Sequence, residues 1–352
     1  MRSIVAEGWE WCCGVALTAK MRTLRCRREN STKPRHPNCR VRVYDGSMSQ
    51  PASQPLPSAL RDKAVVVLGA GKVGTAVARL LSEAGLPIAA ATTRSTATAE
   101  LAASRTGAQA GTDNAAEAAK GDIVLVTVND DSVASVVAEV AAAGGFRLGQ
   151  LVVHMSGALP LSVLSPAAKV GALIGCAHPL QSFATAEDAS CMMRGSTFGI
   201  TPGPGALEAL EALVEVLGGR PVLVGDEDKA VYHAAAVMAS NYLVAVEDMA
   251  VRLLVTAGFD EASALRALQP LVSGTVDNVS TLGTTSALTG PIVRGDVDTV
   301  RAHVEALRGL PDGELRLYCA LGCHTLEIAR RRGSLDAETI DALRAALGEG
   351  IC

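Results

Sequence analysis

The chain has 352 residues, of which 49% are hydrophobic, 3% aromatic and 19% charged. That length and apolar share suffice for two domains with sizeable cores and exclude disorder throughout. A core so poor in aromatics must be packed from Ala, Val, Leu and Gly, which suits α/β architecture. The net charge of -4 is uneven: residues 1–47 hold ten Lys/Arg against four Asp/Glu, leaving 22 against 32 in an acidic body, which argues against nucleic acid as a partner.

The basic leader carries Cys12, Cys13, Cys26 and Cys39 and both tryptophans, Trp9 and Trp11. Its apolar runs are too short to span a bilayer or to form a signal core, and no amphipathic period marks a transit peptide. Met48 opens a Ser/Pro/Gln-rich run. Residues 1–60 are therefore expected to be a disordered leader or to precede a true start at Met48, rather than a targeting signal. The other cysteines, Cys176, Cys191, Cys319, Cys323 and Cys352, show no framework spacing, so reduced thiols in a cytoplasmic protein are expected. Cys319, Cys323 and His324 read as a core-facing stripe, and no metal site is expected.

In chain order, residues 64–68 form a continuous apolar run of strand length, 73–81 an apolar helical stretch and 88–92 a second strand. Residues 122–128 repeat the buried-strand pattern, followed by a helix over 132–142 and strands at 151–154, 172–176 and 196–201. Such alternation implies right-handed crossovers and a parallel sheet. Pro202, Gly203 and Pro204 then open a helix to about residue 217, and 221–224 is one more short strand. From Asp226 strand signals cease. Residues 226–257 read as one uninterrupted helix, with Asp226 as N-cap and Gly258 as stop, and further helices are predicted over 261–272, 296–307, 312–332 and 336–347. The expected architecture is α/β: a Rossmann-type, doubly wound, mostly parallel sheet over 61–225, then an all-helical domain over 226–352.

Gly69, Ala70, Gly71, Lys72, Val73 and Gly74 lie directly between the first strand and the first helix. The first glycine permits a tight turn, the second lets the backbone approach a pyrophosphate and the third allows helix to pack on strand, with the helix N-terminus facing the phosphates. An NAD site places a carboxylate about 20 residues further on. Here the second strand ends instead in Thr92, Thr93, Arg94, Ser95 and Thr96, hydroxyls and a guanidinium suited to a 2′-phosphate. NADP(H) is therefore the expected cofactor, with Arg94 as discriminator. Asn129, after the strand ending at Val128, and Ser156 and Gly157, after the next strand, fall at the carboxyl edge where a Rossmann sheet approaches its cofactor.

With these residues stand His154 to Ala158, His178-Pro179-Leu180-Gln181, Tyr232 to Ala236 with Ala239 to Tyr242, and Ala287 to Pro291. Together they resemble the bacterial family that joins a Rossmann-like domain to the domain of unknown function 2520, similar to the wider 6-phosphogluconate dehydrogenase and ketopantoate reductase superfamily. The resemblance spans about residues 63–332. It implies a nucleotide-binding domain and a helical domain with the active site between them, a homodimer through the helices, and for some members ketopantoate reduction. Better-known superfamily members carry a catalytic lysine one turn before an asparagine on the long helix; here Asn241 is kept and Val237 stands in the lysine's place.

On an unbroken helix His233, Ser240 and Asn241 share one polar stripe among small apolar neighbours. The reading is that NADPH reduces the carbonyl of a small 2-oxo acid while His233, or a water it holds, protonates the alkoxide. Ser240 and Asn241 would orient the carbonyl, Ser156, Gly157 and His178 would form the opposite wall, and Arg294 would clamp a carboxylate. Two alternatives stay open: an imine or deazaflavin-linked NADP oxidoreductase, and a non-catalytic NADPH sensor. No nucleic-acid or membrane partner is expected.

Overall fold

The computed structural model describes residues 55–183, 185–310 and 312–348. The expectations for the leader, for Met48 and for its cysteines and tryptophans lie outside the described residues. Residues 58–60, expected within the leader, form a 3-10 turn whose Leu60 is fully buried in the sheet core.

The first part of the body alternates strand and helix. In order these are β1 (Val65–Leu68), α1 (Lys72–Glu83), β2 (Ile88–Thr92), α2 (Thr96–Thr106), β3 (Gln109–Gly111), α3 (Asn114–Ala118), β4 (Ile123–Val126), α4 (Asp130–Ala142), β5 (Leu151–His154), α5 (Ser165–Lys169), β6 (Leu173–Pro179), α6 (Ala186–Met193), β7 (Thr197–Pro202), α7 (Leu207–Val216) and β8 (Arg220–Leu223). The eight strands make one sheet in the order β3-β2-β1-β4-β5-β6-β7-β8, in which only β6 and β7 pair antiparallel. The chain leaves β1 toward β3 at one edge and returns to β4 on β1's other side, which opens a crevice at the carboxyl ends of β1 and β4.

Alternation along β1 explains its unbroken apolar run. Val65 and Val67 face a core with α1 and α7, whereas Val66 and Leu68 face a second core with α4, so no residue of the strand meets water. At the far edge β8 pairs only with β7, through Arg220 N-H to Ser196 O and Val224 N-H to Ile200 O.

The second part is helical: α8 (Lys229–Ala239), α9 (Asn241–Thr256), α10 (Glu261–Ala287), α11 (Val297–Leu307), α12 (Asp312–Arg332) and α13 (Ala337–Leu347). The last three pack around Ile292, Val300, Leu326, Ala329, Leu343 and Leu347. Three expectations are corrected here. The helix over 226–257 is kinked at Ser240, whose φ of -120° and ψ of -71° separate α8 from α9. Asp226 does not cap it: its carboxylate accepts from Leu161 N-H, and Asp228 holds the cap position without a side-chain bond. The helix expected over 261–272 runs on to Ala287 through Pro270, broken at Gly283 (φ 75°, ψ 164°).

The stop at Gly258 is as expected: with φ at 100° it lets Phe259 N-H reach Leu254 O and its own N-H reach Val255 O, closing the helix end. Cys176 and Cys319 are free thiols, but Cys323 is disulfide-bonded, against the expectation that the body's cysteines are all reduced. Among the described residues no cluster of His, Cys, Asp and Glu could hold a metal.

Candidate functional site

The crevice at β1 and β4 is a cleft of about 620 Å³ walled by Gly69, Ala70, Gly71, Thr93, Arg94, Ser95 and Asn129, seven of the ten residues expected to hold the cofactor. Gly69 takes φ of 94°, and a Cβ there would lie 2.7 Å from Val128 N. Gly71 faces open space, as a backbone that must receive a phosphate requires. The other three residues lie behind the wall or outside it. Gly74 is buried where a Cβ would strike Thr127 Oγ1 and come within 2.6 Å of Gly69 O, Val73 packs on the core, and Lys72 is exposed.

The start of α1 carries no side-chain cap and no acidic residue in its first turn. Its free N-H groups and the helix dipole are therefore left for an anion. At the other end of the cleft, Ser95 Oγ accepts Thr98 N-H at 3.3 Å and lies 2.8 Å from Thr98 Oγ1, which fixes a hydroxyl pair beside Arg94. Thr92 and Val128 also line the wall, and Thr98, Thr112, Asn114, Thr127, Ser132, Ser135 and Val136, which were missed from sequence, complete it. Asn114 is tied to the end of β2, its Oδ1 accepting Thr92 Oγ1-H at 2.6 Å. The sequence signal for Ser132 and Ser135 was available: hydroxyls one turn apart at the start of the helix that follows β4.

A second group of polar residues gathers where β5 and β6 meet α8. Ser156 is held through every polar atom: N-H to His154 Nδ1 at 3.2 Å, Oγ-H to Asp130 Oδ2 at 2.7 Å, and Oγ accepting from Ala158 and Leu159 N-H at 3.2 Å each. Its carbonyl accepts from Cys176 Sγ-H at 3.2 Å and from Lys229 Nζ at 3.3 Å. Gly157 lies under the His178 ring, and a Cβ on it would fall 2.8 Å from Nε2. His178 Nδ1 is 3.1 Å from Tyr232 Oη, and the His178 and His233 ring centroids are 5.9 Å apart.

Burial, together with His233 and Lys229 nearby, lowers the His178 pKa to about 4. Burial, reinforced by Lys229 and His178, lowers that of the fully buried His154 to about 3. Both rings are thus neutral near pH 7. Because His154 Nδ1 accepts from Ser156, its Nε2 carries the proton, and that atom has no partner among the described residues. Burial also pushes the Tyr232 phenol and the Cys176 thiol upward.

The expected site residues divide accordingly. Ser156, Gly157, His178 and His233 come together, joined by Asp130, next to Asn129 in the loop expected near the cofactor, and by Tyr232 and Lys229, to which no sequence-based role was given. Ser240 and Asn241 do not join them by any hydrogen bond: Ser240 sits at the kink and Asn241 is exposed, so the single stripe expected of an unbroken helix is interrupted. Arg294 is exposed at the end of a 3-10 turn and bonds to none of these groups.

No curated protein matches the chain. Among solved structures, a Bacteroides fragilis protein described as "putative NADP oxidoreductase BF3122" is 25% identical, with a TM-score of 0.61 over 76% of this chain and 98% of its own. Protein TM1727 from Thermotoga maritima (24% identity, TM-score 0.56, 81% and 99% covered) and an imine reductase from a Pseudomonas species (21%, 0.55, 81% and 99%) share the fold. Residues 48–179 match the Rossmann-like domain and residues 196–325 match the domain of unknown function DUF2520. The two matches follow one another along the chain, in the order of the family that joins a Rossmann-like domain to DUF2520.

Proposed function

We propose that this chain is an NADP(H)-dependent oxidoreductase that reduces a small carbonyl or imine compound. The observation that carries the proposal is the cleft itself, with an uncapped helix start and open Gly71 at one end and Arg94, Ser95 and Thr98 at the other. The resemblance to the Bacteroides NADP oxidoreductase supports it. NADPH, when bound, would supply the reducing equivalent. The residues of this chain do the rest: Ser156 and Gly157 shape the floor, His178 and Tyr232 hold each other in place, and His233 gives the proton to the developing alkoxide or amine.

A 2-oxo acid such as ketopantoate is the first substrate reading, with Arg294 as carboxylate clamp and Ser240 and Asn241 as orienting groups. One observation favours a cyclic imine as the second. The groups nearest His178 are the His233 ring, the Tyr232 phenol and, at the neighbouring bend, the Asp130–Ser156 pair, and among the described residues no guanidinium bonds to any of them. A deazaflavin-linked reaction and a catalytically silent NADPH sensor are the other outcomes to separate.

We further propose a cytoplasmic homodimer joined through the helical part. Apolar side chains along α8 to α10, among them Val231 (74% exposed), Val244 (68%) and Leu271 (66%), face solvent in the single chain. Residues 229–256 are also long and apolar enough to cross a membrane, but Arg252 there is paired with Asp248 and Glu314, and Lys229 is tied to the sheet. A second copy covers such a face without desolvating those charges.

The test is NADPH oxidation by the full chain with ketopantoate, other 2-oxo acids and cyclic imines. Turnover of one class assigns the substrate. Tight NADPH binding without turnover of any would favour the sensor. Full turnover by His233→Ala would reject its role as acid.

A further inference from the structure

We infer that Lys229 is a positioning residue that pins α8 to the Ser156–Gly157 bend and thereby sets the reacting face. The inference rests on the reading that His178, Tyr232 and His233 form that face. Lys229 is 3% exposed and is the buried residue of α8. Lysine is almost never buried so deeply unless paired with a carboxylate, yet no ion pair of the described residues includes it. Its Nζ donates instead to Cys176 Sγ at 2.9 Å and to Ser156 O at 3.3 Å. An apolar side chain would fill the slot at lower desolvation cost, so packing does not account for the amine.

The helix geometry says what the amine does. Tyr232 and His233 follow Lys229 by three and four residues, so all three lie on one face of a single turn. The pin and the reacting groups therefore move together. Lys229 holds the carbonyl of Ser156, the next residue is Gly157, and the His178 ring rests on Gly157 while meeting Tyr232. The circuit from Lys229 through Ser156, Gly157, His178 and Tyr232 closes back on the same turn of α8. The charges and titrating groups that face His178 are Lys229, Tyr232 and His233 on α8, Asp130 at the start of α4 and His154 on β5.

The test compares the full chain with Lys229→Met, which keeps length and apolarity but removes the donors, and Lys229→Arg, which keeps donors and charge. With six His and four Tyr in the chain, the His178–Tyr232 ring contact is resolvable as a single NMR cross-peak. It is expected in the native protein, lost in Lys229→Met and regained at least in part in Lys229→Arg. NADPH affinity, set by the glycine cleft and the Arg94 end rather than by Lys229, should hold within about twofold. On whichever substrate is reduced, kcat should fall roughly 100-fold in Lys229→Met with little change in KM.

A cross-peak of full strength in folded Lys229→Met overturns the inference. So does loss of the fold in both variants, which would assign the amine to stability alone. The cross-peak needs no turnover, so a panel without any reduced substrate would count against the proposed reaction and leave this measurement decisive for Lys229.

Discussion

The sheet and the helices after it solve the burial problem differently. In β1, β4 and β5 every residue is buried, and each strand is covered on both faces by the chain's own helices. In the helical part α8 buries one residue, α9 two and α10, despite its 27 residues, only Ala264. A fully buried aliphatic side chain contributes about 1.5–3 kcal/mol, so exposed residues such as Met238, Val244, Leu271 and Leu282 leave much of that stabilisation unrealised in a single chain. The sheet half is complete in itself. The outer helices leave large apolar side chains facing solvent in the single chain, the face on which the dimer proposal rests.

That contrast can be tested where it is sharpest. Gly69→Ala should have the largest effect: its φ of 94° and the 2.7 Å approach to Val128 N leave no room for a methyl group. NADPH affinity, read by cofactor fluorescence, is expected to fall about a hundredfold; an unchanged value would break the cradle. Arg94→Ala should weaken NADPH about tenfold or more and leave NADH unaffected, the size expected of one charge-assisted bond. Equal losses for both cofactors would remove Arg94 as discriminator.

On the helical side, Leu271→Glu should raise the dimer dissociation constant by about tenfold or more with the monomer's melting unchanged. Sedimentation showing a monomer in the unaltered chain would instead end the dimer proposal. The pH dependence belongs to the seam between the halves. His154 and His178 have folded pKa values near 3 and 4, below the ordinary 6.5, so the unfolded chain binds more protons in that window. The stability these rings contribute is complete above about pH 6.5 and is lost as pH falls toward 4, seen as a declining melting temperature; a flat profile would contradict their burial. The smallest effect is expected for Asp113→Ala, which removes the carboxylate capping Ala115 and Ala116 N-H at the start of α3, at about 1 kcal/mol of stability.

How legible each region was follows from the same contrast. Strands buried on both faces read directly as apolar runs: β2 and β5 have the bounds expected, and β1 and β4 differ only by flanking residues. The short α3, only five residues long, and the edge strand β3 carry too few apolar positions to show a period. In α10 the signal was masked by Pro270, Gly274 and a run of Ser and Thr, because an exposed helix need not display a buried stripe.

The glycine cradle was visible because its steric demands are local. The Lys229 pin was not, since its partners Ser156 and Cys176 lie 73 and 53 residues away and meet it only across the fold. Ser240 misled for a related reason: spacing gives angles only while a helix stays straight.

The edges of the sheet bear on how copies of this chain could pair. Along β8 the N-H groups of Arg220 and Val224 turn inward to β7, so position 221 points outward, and there the residue is proline, which has no N-H to offer. The opposite rim, β3, is three residues long. Both rims are thereby poor templates for strand addition from a neighbouring molecule, which disfavours fibrous association along the sheet. The homodimer proposed above would then form through side chains rather than backbone pairing.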